Sequence, residues 1–89
     1  FKEMLNDLLG TRGAYLLDKD HNVLGKVPTS ELEATLKDLS NVEAVVFDGS
    51  VTKDIAKTAE RSRIKYLVGV DSMIQPQDTR VTVLVGSDL

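Results

Sequence analysis

The 89-residue sequence contains no cysteine and no tryptophan, one histidine, two prolines and only four aromatic residues, two Phe and two Tyr. Without cysteine there is no disulfide framework, no thiolate zinc site and no cysteine nucleophile, a composition that suits a reducing cytosol. A cytoplasmic location is expected on that ground. The one histidine, His21, has no Ser or Cys nucleophile identifiable beside it, so a catalytic triad does not assemble from these letters. No apolar run approaches the roughly 18–20 residues that span a bilayer, and no charged-then-apolar leader opens the chain. No membrane association is expected. What the chain does contain is 42% apolar and 28% charged residues with a formal charge of −3, enough for one small domain and one core over residues 1–89. It opens on Phe1, inside a helical pattern and without Met, and is expected to be a fragment of a longer parent.

Phe1, Met4, Leu5, Leu8 and Leu9 recur at helical spacing and predict an amphipathic helix stopped by Gly10. Ala14–Leu17 and Val23–Val27 flank the turn formers Asp18-Lys19-Asp20-His21-Asn22, which reads as a β-hairpin. After Pro28, Thr29 or Ser30 is placed to cap a helix. Glu33 would complete a capping box with Ser30, and Leu32, Leu36 and Leu39 would form its apolar stripe. Val42–Phe47 is apolar without alternation after Glu43 and predicts a strand covered on both faces. Asp48-Gly49-Ser50 breaks it, with Ser50 as the expected cap of a helix over 52–63 that turns Ile55, Ala56 and Ala59 inward. Residues 64–70 predict a second strand, parallel to the first and joined by a right-handed crossover. Residues 71–80 read as a loop and 81–85 as a final strand. The predicted architecture is an α/β domain: a mixed sheet of about five strands, formed by a hairpin, a parallel β-α-β unit and a final strand, with helices packed on it.

Few residue constellations suit chemistry. Asp18 and Asp20, one residue apart after a strand, could hold a divalent cation. The same letters followed by His21-Asn22 also make a hairpin turn in which Asp and Asn cap their own backbone. A calcium loop starting at Asp18 would need Gly and Glu where Val23 and Thr29 stand. Neither catalytic nor metal-binding residues are assigned. Asp48 and Gly49 lie where a parallel strand gives way to a helix, the usual location of ligand sites in open α/β sheets. Helix-start amides there could receive a phosphate or a partner's carboxylate. The letters equally describe a turn before a capped helix.

Charge divides unevenly along the chain. Residues 1–48 hold nine acids and five bases, whereas residues 49–89 hold five acids and six bases. Lys53, Lys57 and Arg61 recur every fourth residue and share one face of the predicted helix, with Arg63 and Lys65 close behind. This stripe could meet RNA or an acidic protein surface, or be an ordinary solvated face. Tyr15, Tyr66 and Phe47 lie in apolar patterns, so no base-stacking platform is evident.

Three blocks resemble the C-terminal domain of archaeal DnaG-type primases: Leu16-Leu17-Asp18-Lys19-Asp20-His21-Asn22-Val23 with Val27-Pro28, Val45-Val46-Phe47-Asp48-Gly49-Ser50-Val51-Thr52, and Ile64-Lys65-Tyr66-Leu67-Val68-Gly69-Val70. Phe47-Asp48-Gly49 followed by Thr52 is the most specific of them. Ser50 and Lys53-Asp54-Ile55 depart from the family's more usual aliphatic residue and Gln-Arg-Leu. The resemblance implies a parent with a Toprim catalytic domain, a magnesium-dependent nucleotidyl-transfer module that makes RNA primers, with its metal-binding acids upstream. No cofactor is implied for the present segment. It further implies association with the RNA-degrading exosome, by docking onto the cap subunit that carries an S1 domain and a zinc ribbon. On this reading the chain is a noncatalytic docking module, with Asp48, Gly49, Lys53, Lys57 and Arg61 as candidate partner-binding residues. The alternative is an RNA- or DNA-binding accessory that uses the basic helix face.

Overall fold

The run Ala44–Phe47 forms strand β3, and all four of its side chains are buried, which is why it carries no polar alternation. The computed structural model describes residues 2–39 and 41–86; Phe1, placed on the first helical stripe by its spacing, lies outside the described residues. Around β3 the elements follow in the order helix α1 (Lys2–Leu8), strands β1 (Gly13–Leu17) and β2 (Val23–Pro28), and helix α2 (Leu32–Asp38). After β3 come β4 (Ser50–Val51), helix α3 (Lys53–Arg61), β5 (Tyr66–Gly69), β6 (Asp71–Ser72) and β7 (Thr82–Val85). The main sheet has five strands in the order β2-β1-β3-β5-β7. β1 pairs antiparallel with β2 and β3, whereas β5 runs parallel to β3 and β7. The expected mixed sheet, hairpin and parallel β-α-β unit are all present.

Because successive strand residues point to opposite faces, β3 feeds two cores, one on each face of the sheet, in place of the single core expected from the length. Val45 and Phe47 join Ala14, Leu16 and Leu67 under α2 and α3, which contribute Leu32, Leu36, Ala56 and Ala59. Ala44 and Val46 join Leu17 and Val68 under the short α1, which contributes Leu5 and Leu8. Tyr15 and Tyr66 are half-buried on this second face. Lys26 Nζ lies 5.8 Å from the Tyr15 ring centroid, and His21 meets Tyr66 edge-on at 6.4 Å.

Several local expectations are corrected. Ser30 does not cap α2, and no capping box forms with Glu33. Pro28, at φ −63° and ψ 147°, instead leads into a 3-10 turn over Thr29–Glu31, which puts Ser30 inside a turn and its hydroxyl out of capping position. The cap position of α2 falls to Glu31, without a side-chain bond, while Thr35 Oγ1 donates to the Glu31 carbonyl at 2.9 Å. Leu39 leaves the predicted stripe because the backbone there is already extended, and its side chain is exposed. Ser50 does not cap α3. It belongs to β4, which pairs in parallel with β6 inside the stretch expected to be loop, and Ser50 Oγ donates to Asp71 Oδ1. Thr52 is the cap of α3 and accepts from the Ile55 amide. The same stretch contains a 3-10 turn at Pro76–Asp78, boxed by Asp78 Oδ2 accepting the Gln75 amide at 2.9 Å.

Three local arrangements hold the ends of the sheet. At one end Asp18 Oδ1 accepts the amides of Asn22 (3.0 Å) and Asp20 (2.9 Å), so the hairpin turn is an Asx-type turn. The Asn22 amide is the main cause that holds the Asp18 carboxyl below its ordinary range, and the Asp20 amide adds to it. Glu60 Oε1 likewise accepts the Arg80 amide and the Thr79 hydroxyl, both at 2.8 Å, tying α3 to the segment before β7 and lowering the Glu60 carboxyl. At the other end Gly69 passes so close to the β3–β4 turn that a Cβ on it would stand 2.8 Å from the Gly49 carbonyl oxygen and 3.1 Å from Val51 Cγ2.

Gly69→Ala is therefore expected to cost about 1–3 kcal/mol, seen as a lower urea midpoint at unchanged slope; an unaltered midpoint would show that the β3–β4 turn yields freely. The pH dependence has a definite sign. A carboxyl depressed in the folded state adds stability that is present above its unfolded pKa and is lost as pH falls through the folded value. Melting temperature should drop as pH falls below about 4. The drop should be shallower in Asp18→Asn, which keeps the accepting oxygen but not the charge; equal slopes in both proteins would refute this role.

Candidate functional site

Where β3 ends, the start of α3, the loop before β1 and the 3-10 turn after β2 enclose a groove of about 520 Å³. Its lining combines apolar Pro28, Phe47 and Ile55 with the polar Thr11, Thr29, Ser30 and Ser50, the backbone of Gly49 and one cation, Arg12.

Asp48 does not project freely into this groove. Its Oδ2 accepts the Arg12 amide at 2.9 Å, and its own amide donates to the Gly13 carbonyl at 2.9 Å. The residue thereby fastens the loop after α1 to the end of β3. Gly49 presents its carbonyl to the Val70 amide at 2.9 Å and borders the groove. The Phe47-Asp48-Gly49 segment is thus a structural clasp with one face on the groove.

Arg12 is the residue that the sequence did not reveal. It has φ 54°, the left-handed region that L residues seldom occupy. Three groups hold it there: the Asp48 carboxylate on its amide, the Thr29 amide on its carbonyl at 2.9 Å, and Thr11 Oγ1, which accepts the next amide, that of Gly13, at 3.1 Å. Nothing in the string Gly10-Thr11-Arg12-Gly13 announces such a conformation, since the clamp comes from residues 17 and 36 positions away.

The remaining candidates stand apart from the groove. Lys53, Lys57 and Arg61 are exposed along α3, and none forms an ion pair among the described residues. Lys53 and Lys57 flank Ile74, Asp78 and Thr79, and Arg61 sits at the last turn of the helix. The basic cluster read from the sequence is divided by the fold. Arg63 and Lys65 lie at the opposite end of the sheet, where with Arg80, Glu60 and Tyr66 they line a separate cleft of about 530 Å³. Lys65 Nζ reaches Glu43 Oε1 at 3.4 Å, the one ion pair among the described residues.

The Asp18 and Asp20 pair resolves in favour of the turn: Asp18 Oδ1 is already engaged by two backbone amides. Among the described residues, no group of three or more His, Cys, Asp or Glu side chains is arranged to hold a metal ion. No helix among them is long and apolar enough to cross a membrane.

No protein-family profile and no solved structure matches this chain. Curated archaeal proteins do. A protein named DNA primase DnaG from Thermococcus onnurineus is 46% identical over 56 residues, which is 63% of this chain and 12% of the relative. The protein of that name from Thermococcus kodakarensis is 38% identical over 69 residues, or 78% of this chain and 15% of the relative. Its counterpart from Methanocella arvoryzae is 41% identical over 71 residues, or 79% of this chain and 15% of the relative. The chain spans less than a sixth of the length of each. The resemblance carried by the three residue blocks is borne out: over the stretch they share, this chain is homologous to the archaeal DnaG-type primases.

Proposed function

We propose that this chain is the noncatalytic C-terminal docking module of a DnaG-like primase and that it binds the exosome cap subunit bearing an S1 domain and a zinc ribbon. The parent on this reading is a cytoplasmic nucleotidyltransferase that synthesises RNA primers and takes part in RNA degradation. Its Toprim domain and magnesium-binding acids lie outside this chain. Homology to DnaG primases over most of the chain is the observation that carries the reading. The chemistry of the surface supports the noncatalytic part: Asp18, of the Asp18 and Asp20 pair, and Asp48 at the end of β3 each accept backbone amides and act as fasteners.

The docking surface is assigned to two places, the end of β3, which Asp48 and Gly49 shape, and the exposed side of α3 that carries Lys53, Lys57 and Arg61. A pull-down with the isolated cap subunit tests this. The 89-residue chain should retain the cap, and a parent lacking it should not; the reverse pattern sinks the proposal.

One observation favours a second reading, in which the same helix grips RNA or template DNA. Lys53, Lys57 and Arg61 are exposed at four-residue spacing without ion-pair partners among the described residues. Phosphate contacts of that kind release counterions, so affinity would fall steeply with salt. Lys57→Glu combined with Arg61→Glu should then abolish a salt-sensitive affinity for single-stranded RNA. No measurable binding by the unaltered chain at low salt removes this reading.

A further inference from the structure

Arg12 holds a left-handed backbone conformation that glycine adopts freely, and this loop already has glycines on both sides of Thr11-Arg12. The conformation is fixed from three directions, by the end of β3 through Asp48, by the residue after β2 through Thr29, and by Thr11. A side chain mounted on such a clamped backbone has its root fixed before any partner arrives. The guanidinium itself has no hydrogen bond or ion pair among the described residues, and the residue is exposed. No carboxylate lines the groove that it borders. Asp48 accepts the Arg12 amide, and Asp71, which bonds the lining residue Ser50, accepts its hydroxyl.

We propose that this groove receives an extended peptide segment of a protein partner, in which an aliphatic side chain packs against Pro28 and Ile55 and a following carboxylate meets the Arg12 guanidinium. The inference rests on the docking reading and names the chemistry that the docked segment brings. Charge complementarity selects the carboxylate, because an unengaged guanidinium offers a planar pair of donors suited to it. The lining argues against nucleic acid at this place. A track for a phosphate backbone needs several cations in series and exposed rings for stacking. Here Arg12 is the only cation of the lining, and Phe47 is buried beneath it with 1% of its surface exposed.

The test is a titration of the 89-residue chain, followed by backbone amide shifts, with three probes. The first is a synthetic peptide of alternating leucine and glutamate, the second its leucine and glutamine counterpart, and the third a ten-nucleotide oligothymidine. The acidic peptide should give saturable shifts at Thr11, Thr29, Ser30 and Gly49, and the glutamine peptide should bind at least tenfold more weakly. Arg12→Gly should melt at the same temperature or higher, since glycine relieves the left-handed strain, yet lose tenfold or more of the affinity for the acidic peptide. Unchanged affinity in Arg12→Gly overturns the proposal, as does an absence of shifts at the groove or a preference there for the oligonucleotide. Failure of the cap subunit to bind, with peptide shifts intact, overturns the docking partner while the groove's chemistry stands.

Discussion

The burial of β3 on both faces is the constraint from which the rest of the architecture follows. Four consecutive side chains, Ala44 to Phe47, are buried, so each face of the sheet must be covered independently. One face receives α2 and α3, and among the described residues the helical cover of the other is the seven-residue α1. That asymmetry explains why Leu5 and Leu8 are buried so completely at 4% and 0% exposure: they are the main helical cover for Val46 and Val68. It also explains why Tyr15 and Tyr66 remain half-buried, since so short a helix does not reach across all five strands.

A central strand covered on both sides must also end cleanly, and the way β3 ends creates the candidate site. At Asp48 the chain leaves the sheet, and the carboxylate reaches back to the Arg12 amide and so closes the loop that follows α1. Gly49 then turns tightly enough for its carbonyl to accept from Val70, which requires Gly69 on β5 to lack a side chain. The groove is the space left between these fasteners and the 3-10 turn after β2. Its shape is therefore a by-product of stability, whereas its one charged side chain is not, because Asp48 binds the backbone of residue 12 and would hold any side chain there.

Elements whose signal is local were legible in the sequence. The apolar runs of β3 and β5, the hairpin with its Asx turn, and the inward positions Ala56 and Ala59 of α3 all follow from spacing and turn chemistry. Two cap expectations failed where a competing signal, one local and one distant in sequence, took the residue elsewhere. Ser30 had the letters of a cap, yet Pro28 pushed the chain into a 3-10 turn first. Ser50 had the letters of a cap, yet pairing with β6 drew it into a strand and left the task to Thr52. Arg12 and the parting of Arg63 and Lys65 from the α3 stripe depend on contacts distant in sequence, and no window of neighbouring residues contains them.

Three described non-glycine residues have positive φ, namely Arg12, His21 and Arg63, and each lies just outside a helix or strand and carries a basic side chain. Left-handed backbone costs an L residue roughly 1–2 kcal/mol compared with the right-handed form. A fold of this size has a net stability on the order of 5–10 kcal/mol, so three such positions weigh appreciably against it. They persist because hydrogen bonds over-determine each turn: Asp48 and Thr29 at Arg12, Asp18 at His21, and at Arg63 the α3 terminus, where the Ile64 amide donates to the Ala59 carbonyl at 3.0 Å. Arg12 and Arg63 stand at the two ends of the sheet, each beside a groove or cleft. The doubly covered β3 core supplies the stability that lets the loops hold Arg12, His21 and Arg63 in positions where glycine would be the lower-energy choice.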